Sequence, residues 1–371
     1  MAGNQMSAPL VSVVMVVCNV ERFLAESIES ILGQTFRDFE FIITDFGSTD
    51  KSKAIASSYA SKDPRVRVHE IPHCGLAEAR NAACSLALGR YIAVMDADDV
   101  ALPDRLMSEI DFMEKNPEVG LLGGATEWID ATGRSLGVHD FPTHDREIQS
   151  AFLTHCPFCH PTALIRREAF ALVGGYRSAF TAAQDYDLGL RIAEHFPCAN
   201  LKQVVLKYRI HPYQLSTHKR RQQIVCKIAA QVSAQSRKDG KSDPLDSVKE
   251  LTPEVLVALG VTEAQQQSEL ASECRLWIRQ MCIAGEYSGA LKEAVEMLQG
   301  DRAHVERWKI ADVQLTVAWL YWRQKEFLRS LLAAAHAVMT WPLVAARPIK
   351  PLLRRLGLMG TLLSQNQGAT D

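Results

Sequence analysis

Asp96, Asp98 and Asp99 follow directly on the apolar run Tyr91-Ile92-Ala93-Val94-Met95, and this abrupt change of character is where chemistry is easiest to read. A short unbroken apolar run suits a strand buried on both faces, whereas carboxylates are not buried without partners. The acidic residues must therefore sit where the strand leaves the core, the edge at which open α/β sheets bind ligands. Two carboxylates one residue apart can face one hard cation and leave room for the phosphate oxygens of a substrate, so Asp96 and Asp98 are candidate metal ligands. A solvated loop, or a helix start capped by Asp99 or Asp104, fits the same residues. Asp185-Tyr186-Asp187-Leu188 opens another helical stretch, for which Asp185 suits the N-cap. His155-Cys156-Pro157-Phe158-Cys159-His160 carries metal-ligand residue types, but no second CxxC pair accompanies it, which favours a loop with buried thiols over zinc or redox chemistry.

These side chains need a scaffold, and the chain supplies a regular beat. Leu10 to Val17 reads as a buried strand, Phe23 to Leu32 has helical spacing closed by Gly33, and Phe39 to Thr44 is a second strand running into the turn Asp45-Phe46-Gly47-Ser48. Arg65 to Ile71, the Leu76 to Leu88 helix and the strand ending at Asp96 continue the alternation expected of a mostly parallel sheet flanked by helices, an α/β fold. A helix to Asn116, a Gly-rich strand at Val119 to Ala125, a helix closed by Gly174-Gly175 and a last strand from Val204 to Ile210 follow. No Gly-x-Gly-x-x-Gly fingerprint follows the first strand, which disfavours a dinucleotide-binding enzyme.

The 371 residues, 47% of them apolar, are enough for two domains, and a formal net charge of -2 gives no electrostatic case for nucleic acid. Nine cysteines without a regular framework fit reduced thiols in a cytoplasmic compartment. No stretch reads as a signal peptide or a membrane span. Residues 1–221 are expected to form the α/β domain and residues 222–371 a helical domain, with a polar linker near 237–253. In the helical part Trp277, Met281, Trp308, Leu315, Trp319, Leu320, Phe327 and Leu331 suit packed helix faces. Its end is basic and apolar, with Arg347, Lys350, Arg354 and Arg355 among leucines. Peripheral contact with the cytoplasmic membrane face and an ordinary bundle helix fit that pattern equally.

Taken together, residues 8 to 215 resemble the inverting nucleotide-sugar glycosyltransferases of family two, which have the GT-A fold. VSVVMVVCNVERFLAESIESILGQTFRDFEFIITDFGSTD is similar to the nucleotide-binding half of that family, and GLAEARNAACSLALGRYIAVMDADD to its phosphate and metal segment. AAQDYDLGLRIA resembles the catalytic-base helix and YRIHP the closing strand. The resemblance implies a sugar nucleotide as donor, a glycan, lipid-linked or protein acceptor, and a divalent cation, Mn or Mg, as cofactor. It implies Asp98 as principal metal ligand, Asp96 at the ribose or the metal-bound waters, His211 completing the metal shell, Arg80 on the diphosphate, and Asp185 as the base that deprotonates the acceptor hydroxyl. Asp45 and Phe46 fall at the donor's base.

The departures cluster at that base. Where the family has Pro-Thr-Tyr-Asn the chain has Val16-Val17-Cys18-Asn19, so an aromatic that stacks on the base is missing, and Phe46 replaces an Asp that accepts from uracil. Base recognition is therefore expected to be rebuilt, with Phe46 as the replacement stacking surface, and a uridine donor does not follow. Gln184 and Gly189 also depart from the family's acidic residue and Trp, which bears on the shape of the acceptor side. A catalytically silent member serving as a binding or scaffold subunit is the competing expectation.

Overall fold

The computed structural model of the protein describes residues 8–211, 220–300 and 302–344. The basic segment from Arg347 to Arg355 lies outside these residues. Backbone contacts divide the chain into two compact units, Met1–Val261 and Thr262–Asp371.

The first unit is the expected α/β architecture. Strands β1 (Val11–Val17), β2 (Phe39–Asp45), β3 (Val66–Glu70) and β4 (Tyr91–Asp96) pair in parallel in the order β3-β2-β1-β4. Right-handed crossovers demand a helix between parallel neighbours, and α1 (Leu24–Leu32), α2 (Ser52–Ala60) and α3 (Leu76–Ser85) provide them. The second half of the sheet changes direction. β8 (Leu164–Arg166) runs antiparallel to β4, β6 (Leu121–Asp130) antiparallel to β8, and β9 (Cys198–Ile210) parallel to β6, with β5 (Val100–Ala101) at the far edge. β7 (Ser135–His139) folds back on β6 after the turn at Asp130.

Val13, Met15, Phe41, Ile43, Tyr91, Ala93 and Met95 are buried with Leu24, Ile28 and Ile31 of α1 in one core. That core fixes where β4 stops, and with it where Asp96 emerges. Helices α4 (Arg105–Lys115), α5 (Asp145–Phe152), α6 (Arg167–Leu172) and α7 (Gln184–Ala193) complete the first unit together with α8 (Arg220–Lys238) and the short α9 (Pro253–Ala258). Residues 239–252 between them contain no helix or strand.

Four helices make up the described part of the second unit: α10 (Glu263–Ala284), α11 (Tyr287–Gln299), α12 (Arg307–Arg323) and α13 (Phe327–Thr340). Thr262 and Gln265 form a capping box at the start of α10, and Gly285, with φ of 84°, ends it in the left-handed conformation that favours glycine. Trp277, Met281 and Leu320 are buried as their helical spacing predicts. Trp308, Trp319, Phe327 and Leu331 are not: they are 41%, 43%, 50% and 66% exposed. Periodicity identifies an apolar face but not whether a neighbour covers it.

Candidate active site

The carboxyl ends of β1, β2 and β4 bring the first set of functional residues together. β4 ends at Asp96, whose Oδ1 accepts a hydrogen bond from Arg80 Nη2 at 2.9 Å. Arg80 sits on α3, is almost fully buried and lies over the ring of Tyr176, 5.9 Å from its centroid. Burial pushes the Asp96 carboxyl up, the neighbouring Asp98 charge adds to this, and Arg80 opposes it.

Asp98 lies in the loop after β4, and its Oδ2 is 2.9 Å from His211 Nε2 at the end of β9. These two residues, 113 positions apart in sequence, meet because β9 returns past the carboxyl end of β4. A carboxylate oxygen paired with an imidazole nitrogen is a donor set that suits Mn or a similar divalent ion, so the residues present fit the implied cation. Among the described residues no group of three or more His, Cys, Asp or Glu side chains converges as a cation cage. A cation held by Asp98 and His211 would take its remaining ligands from a diphosphate and water, as Mg-type sites commonly do.

Arg209, which the sequence alone does not single out, and Asp99 hold this corner in place. Arg209 donates from Nε to the Asp98 carbonyl oxygen at 2.8 Å, from its backbone N–H to Asp99 Oδ1 at 2.8 Å, and from Nη2 to Glu26 at 2.6 Å. Its guanidinium also lies 4.7 Å from the ring centroid of Phe23, which packs against the His211 ring at 4.9 Å. Asp99 is buried, its Oδ2 has no hydrogen-bond partner among the described residues, and burial with the adjacent Asp98 and Asp96 charges pushes its carboxyl well up. It points inward, as a brace for the loop, while Asp96 and Asp98 keep partly exposed carboxylates.

Asp185 arrives from the other side, in the first turn of α7. The residue before that helix, Ala183, has φ of 48°, a conformation L-residues seldom adopt and one that clusters at functional sites. Asp185 is partly exposed; burial pushes its carboxyl up, and Arg80 and the first-turn N–H groups oppose this. The Arg80 charge thus acts on both Asp96 and Asp185. His160 Nε2 meets the Tyr176 hydroxyl at 2.9 Å, and burial together with Arg80 lowers the pKa of His160 well below its ordinary value, so its ring is neutral. Tyr176 is fixed through its backbone by Asn81, which donates to its carbonyl at 2.7 Å and accepts from its N–H at 2.9 Å.

Asp187 is in a different environment. It is 1% exposed, accepts from Arg191 Nη2 at 2.7 Å and from Arg177 Nε at 3.1 Å, and Arg177 continues to Asp243 at 2.9 Å. Arg191 in turn donates to the Gly175 carbonyl at 2.7 Å. Every part of this carboxylate is committed to holding α7 in place.

The loops after β1 and β2, which carry Asn19, Asp45 and Phe46, are tied together by hydrogen bonds. Asp45 Oδ1 accepts from the N–H groups of Gly47 and Ser48 at 3.0 and 2.9 Å, and Gly47 has φ of 99°. Asn19, at φ of 54°, links this turn to the end of β1 by accepting from Thr49 N–H at 2.8 Å. Phe46 is 8% exposed, and His73 lies nearly parallel to it at 6.1 Å while Nδ1 of His73 contacts the Phe46 carbonyl at 3.1 Å. Cys18 borders the same turn; burial, then the charges of Asp45 and Asp50, pushes its thiol up.

The Cys156 to His160 loop ends up beside these carboxylates. Both thiols are pushed well up, by burial first, with Asp185 adding at Cys156 and Asp99 and Asp96 at Cys159. Phe158 from that loop fills space over α7: a Cβ at Gly189 would stand 2.7 Å from Phe158 and 3.0 Å from Phe152. The two rings leave no room at 189 for a side chain as large as the Trp frequent in the family.

The acidic end of β4, the Arg80 that bonds Asp96 there, and Asp185, whose carboxyl feels the same arginine from the start of α7, form one cluster of charged groups. The sequence model described as "Glycosyl transferase family 2" matches residues 12–174. An uncharacterized glycosyltransferase of Methanocaldococcus jannaschii is 36% identical over 212 residues, 56% of this chain and 73% of that protein. The O-antigen biosynthesis glycosyltransferase WbnJ of Escherichia coli is 32% identical over 206 residues, 54% of this chain and 80% of that protein. The chain belongs to glycosyl transferase family 2 and is a glycosyltransferase. The solved mannosyltransferase PcManGT from Pyrobaculum calidifontis, in complex with GDP-Man and Mn2+, is 18% identical with a TM-score of 0.47 over 91% of this chain and 88% of that one, a likeness too distant to argue from.

Proposed function

We propose that the protein transfers a sugar from a nucleoside diphosphate to an acceptor hydroxyl with inversion at the anomeric carbon, in the assembly of a polysaccharide or glycoconjugate. The observation that carries this reading is the position of Arg80, whose one guanidinium acts on Asp96 at the end of β4 and on Asp185 at the start of α7. A diphosphate entering beside Asp96 takes over the Arg80 charge, and Asp185 is left facing the acceptor with its raised affinity for a proton. That is what a general base at near-neutral pH requires. Asp45 and Phe46 frame the donor's base, Asp96 addresses its ribose, and Asp98 with His211 would hold the divalent cation. When bound, that cation supplies positive charge for the departing diphosphate.

The acceptor hydroxyl loses its proton to Asp185 as its oxygen attacks the anomeric carbon, and the bond from that carbon to the diphosphate oxygen breaks on the opposite face. Arg80 steadies the developing negative charge, in the manner of a preorganised cation aimed at a leaving group. The test is thermal stabilisation by nucleoside diphosphates with and without Mn²⁺, since a ligand that binds the folded state raises the melting temperature. Asp98→Ala is expected to abolish the Mn-dependent part while the ligand-free melting temperature changes little. An unaltered Mn response in that variant would remove Asp98 from the site.

A further inference from the structure

The residues of α13 carry an apolar face that no described residue of the second unit covers. At about 100° per residue, Phe327, Leu328, Leu331, Leu332, Val338 and Met339 fall within an arc of about 140°. Leu328, Leu331 and Met339 are 74%, 66% and 71% exposed. The side of the helix turned away from this arc carries Ser330 and Ala337, which are buried, and Ser330 bonds back to the Ala318 carbonyl of α12 at 2.8 Å. The helix is thus seated on its small residues and presents its large ones outward. Trp322, 60% exposed, extends the patch across the turn and meets Phe327 edge-on at 5.0 Å. Soluble proteins rarely leave so continuous an apolar face open.

Charge says what covers it. From Phe327 to Thr370 the sequence has no Asp or Glu, and it carries Arg329, Arg347, Lys350, Arg354 and Arg355. Arg323 and Lys325 stand at the turn that precedes the helix. A second copy of the chain docking face to face would bring two such cationic segments together, because a two-fold contact places each patch against itself. No helix among the described residues is long and apolar enough to cross a bilayer. Glu326, just before the helix, pairs with Arg329 at 2.8 Å and leaves Arg323 and Lys325 as the further cations at the border of the face. Large aliphatic and aromatic side chains on one face with a net positive border are what an interfacial helix needs at an anionic membrane.

We propose that α13, with Trp322 beside it, docks the protein onto an anionic lipid surface, its apolar face lying in the headgroup boundary. The test is co-sedimentation of the full-length protein with vesicles of phosphatidylcholine alone or mixed with phosphatidylglycerol. Binding is expected only to the mixed vesicles, to weaken as salt is raised, and to fall by about tenfold or more in the Leu328→Glu/Leu331→Glu variant. Both leucines are largely exposed, so an unchanged circular dichroism spectrum and melting temperature in that variant are part of the expected result. Equal partitioning of variant and wild type would overturn the proposal, as would failure of the wild type to bind mixed vesicles. So would a wild-type dimer that the double substitution turns into a monomer with no effect on vesicles, which would make the face a protein interface. Loss of all binding on removal of residues 345–371, with the double variant still bound, would move the contact off this helix.

Discussion

Two aspartates, one in each unit, are each braced by two arginines, and the difference between them is instructive. Asp187 has a 1% exposed side chain and both its arginines, Arg177 and Arg191, are largely buried. Asp312 joins α12 to Arg275 and Arg279 of α10 at 2.8 and 2.9 Å, but the Arg279 side chain is 44% exposed. A buried ion pair recovers its desolvation cost only with close geometry and further hydrogen bonds, and Asp187 has both. Its network holds the helix that begins with Asp185, so the cost serves the position of a reactive carboxylate. The Asp312 pair sets the register of two helices, for which a half-wet contact is enough.

The sharpest way to break this comparison is turnover. With an active donor and acceptor in hand, Asp185→Asn is expected to lose about two to four orders of magnitude in kcat with donor binding retained. Asp187→Asn, which touches no reacting group, is expected to lose far less at temperatures where it stays folded. A dead Asp187→Asn of wild-type stability beside a normal Asp185→Asn would reverse the two roles.

Stability sharpens it next. Removing one partner from a fully buried pair costs about 3–5 kcal/mol because the charges left behind are uncompensated. Asp187→Asn should therefore lower the melting temperature strongly. Asp312→Asn, with one wet arginine, should cost about 1–2 kcal/mol by the same reasoning discounted for solvent. Equal losses in the two variants, measured by urea unfolding, would erase the distinction.

The smallest expected effect is in pH dependence. Burial raises the pKa of Asp185 above that of an ordinary carboxylate, and a base must be ionised to act. Activity should accordingly fall as pH drops through a value above the normal Asp range, with full activity on the alkaline side. An acid limb at or below that ordinary range, followed in kcat/KM, would show that Asp185 titrates as if in water.

The parallel half of the sheet was legible because β1, β2 and β4 are mainly apolar runs, and the helices between them keep their period. The other half was less so. Leu164–Arg166 is only three residues long, too short for any periodicity, and Ser135–His139 is mostly exposed, so the alternation of Leu136 and Val138 marks no buried face. Asp96, Asp98, Asp185, Arg80 and His211 could be singled out because their motifs are local, and the structure brings Arg80 to Asp96 and His211 to Asp98. Arg209 could not, since its partners Asp98 and Glu26 are 111 and 183 residues away and only the fold makes them neighbours.

The missing side chain at Gly189 makes the floor beneath α7 a shared volume. Phe158 and Phe152 occupy what a larger residue there would need, so positions 158 and 189 can change size only in exchange. A bulky residue at 189 with Phe158 kept collides, and Phe158 reduced with Gly189 kept leaves a hole. The two substitutions together are expected to be strongly non-additive, as for any pair filling one space. Sequence drift at this contact is therefore confined to coordinated swaps among positions 152, 158 and 189, one turn of helix from Asp185.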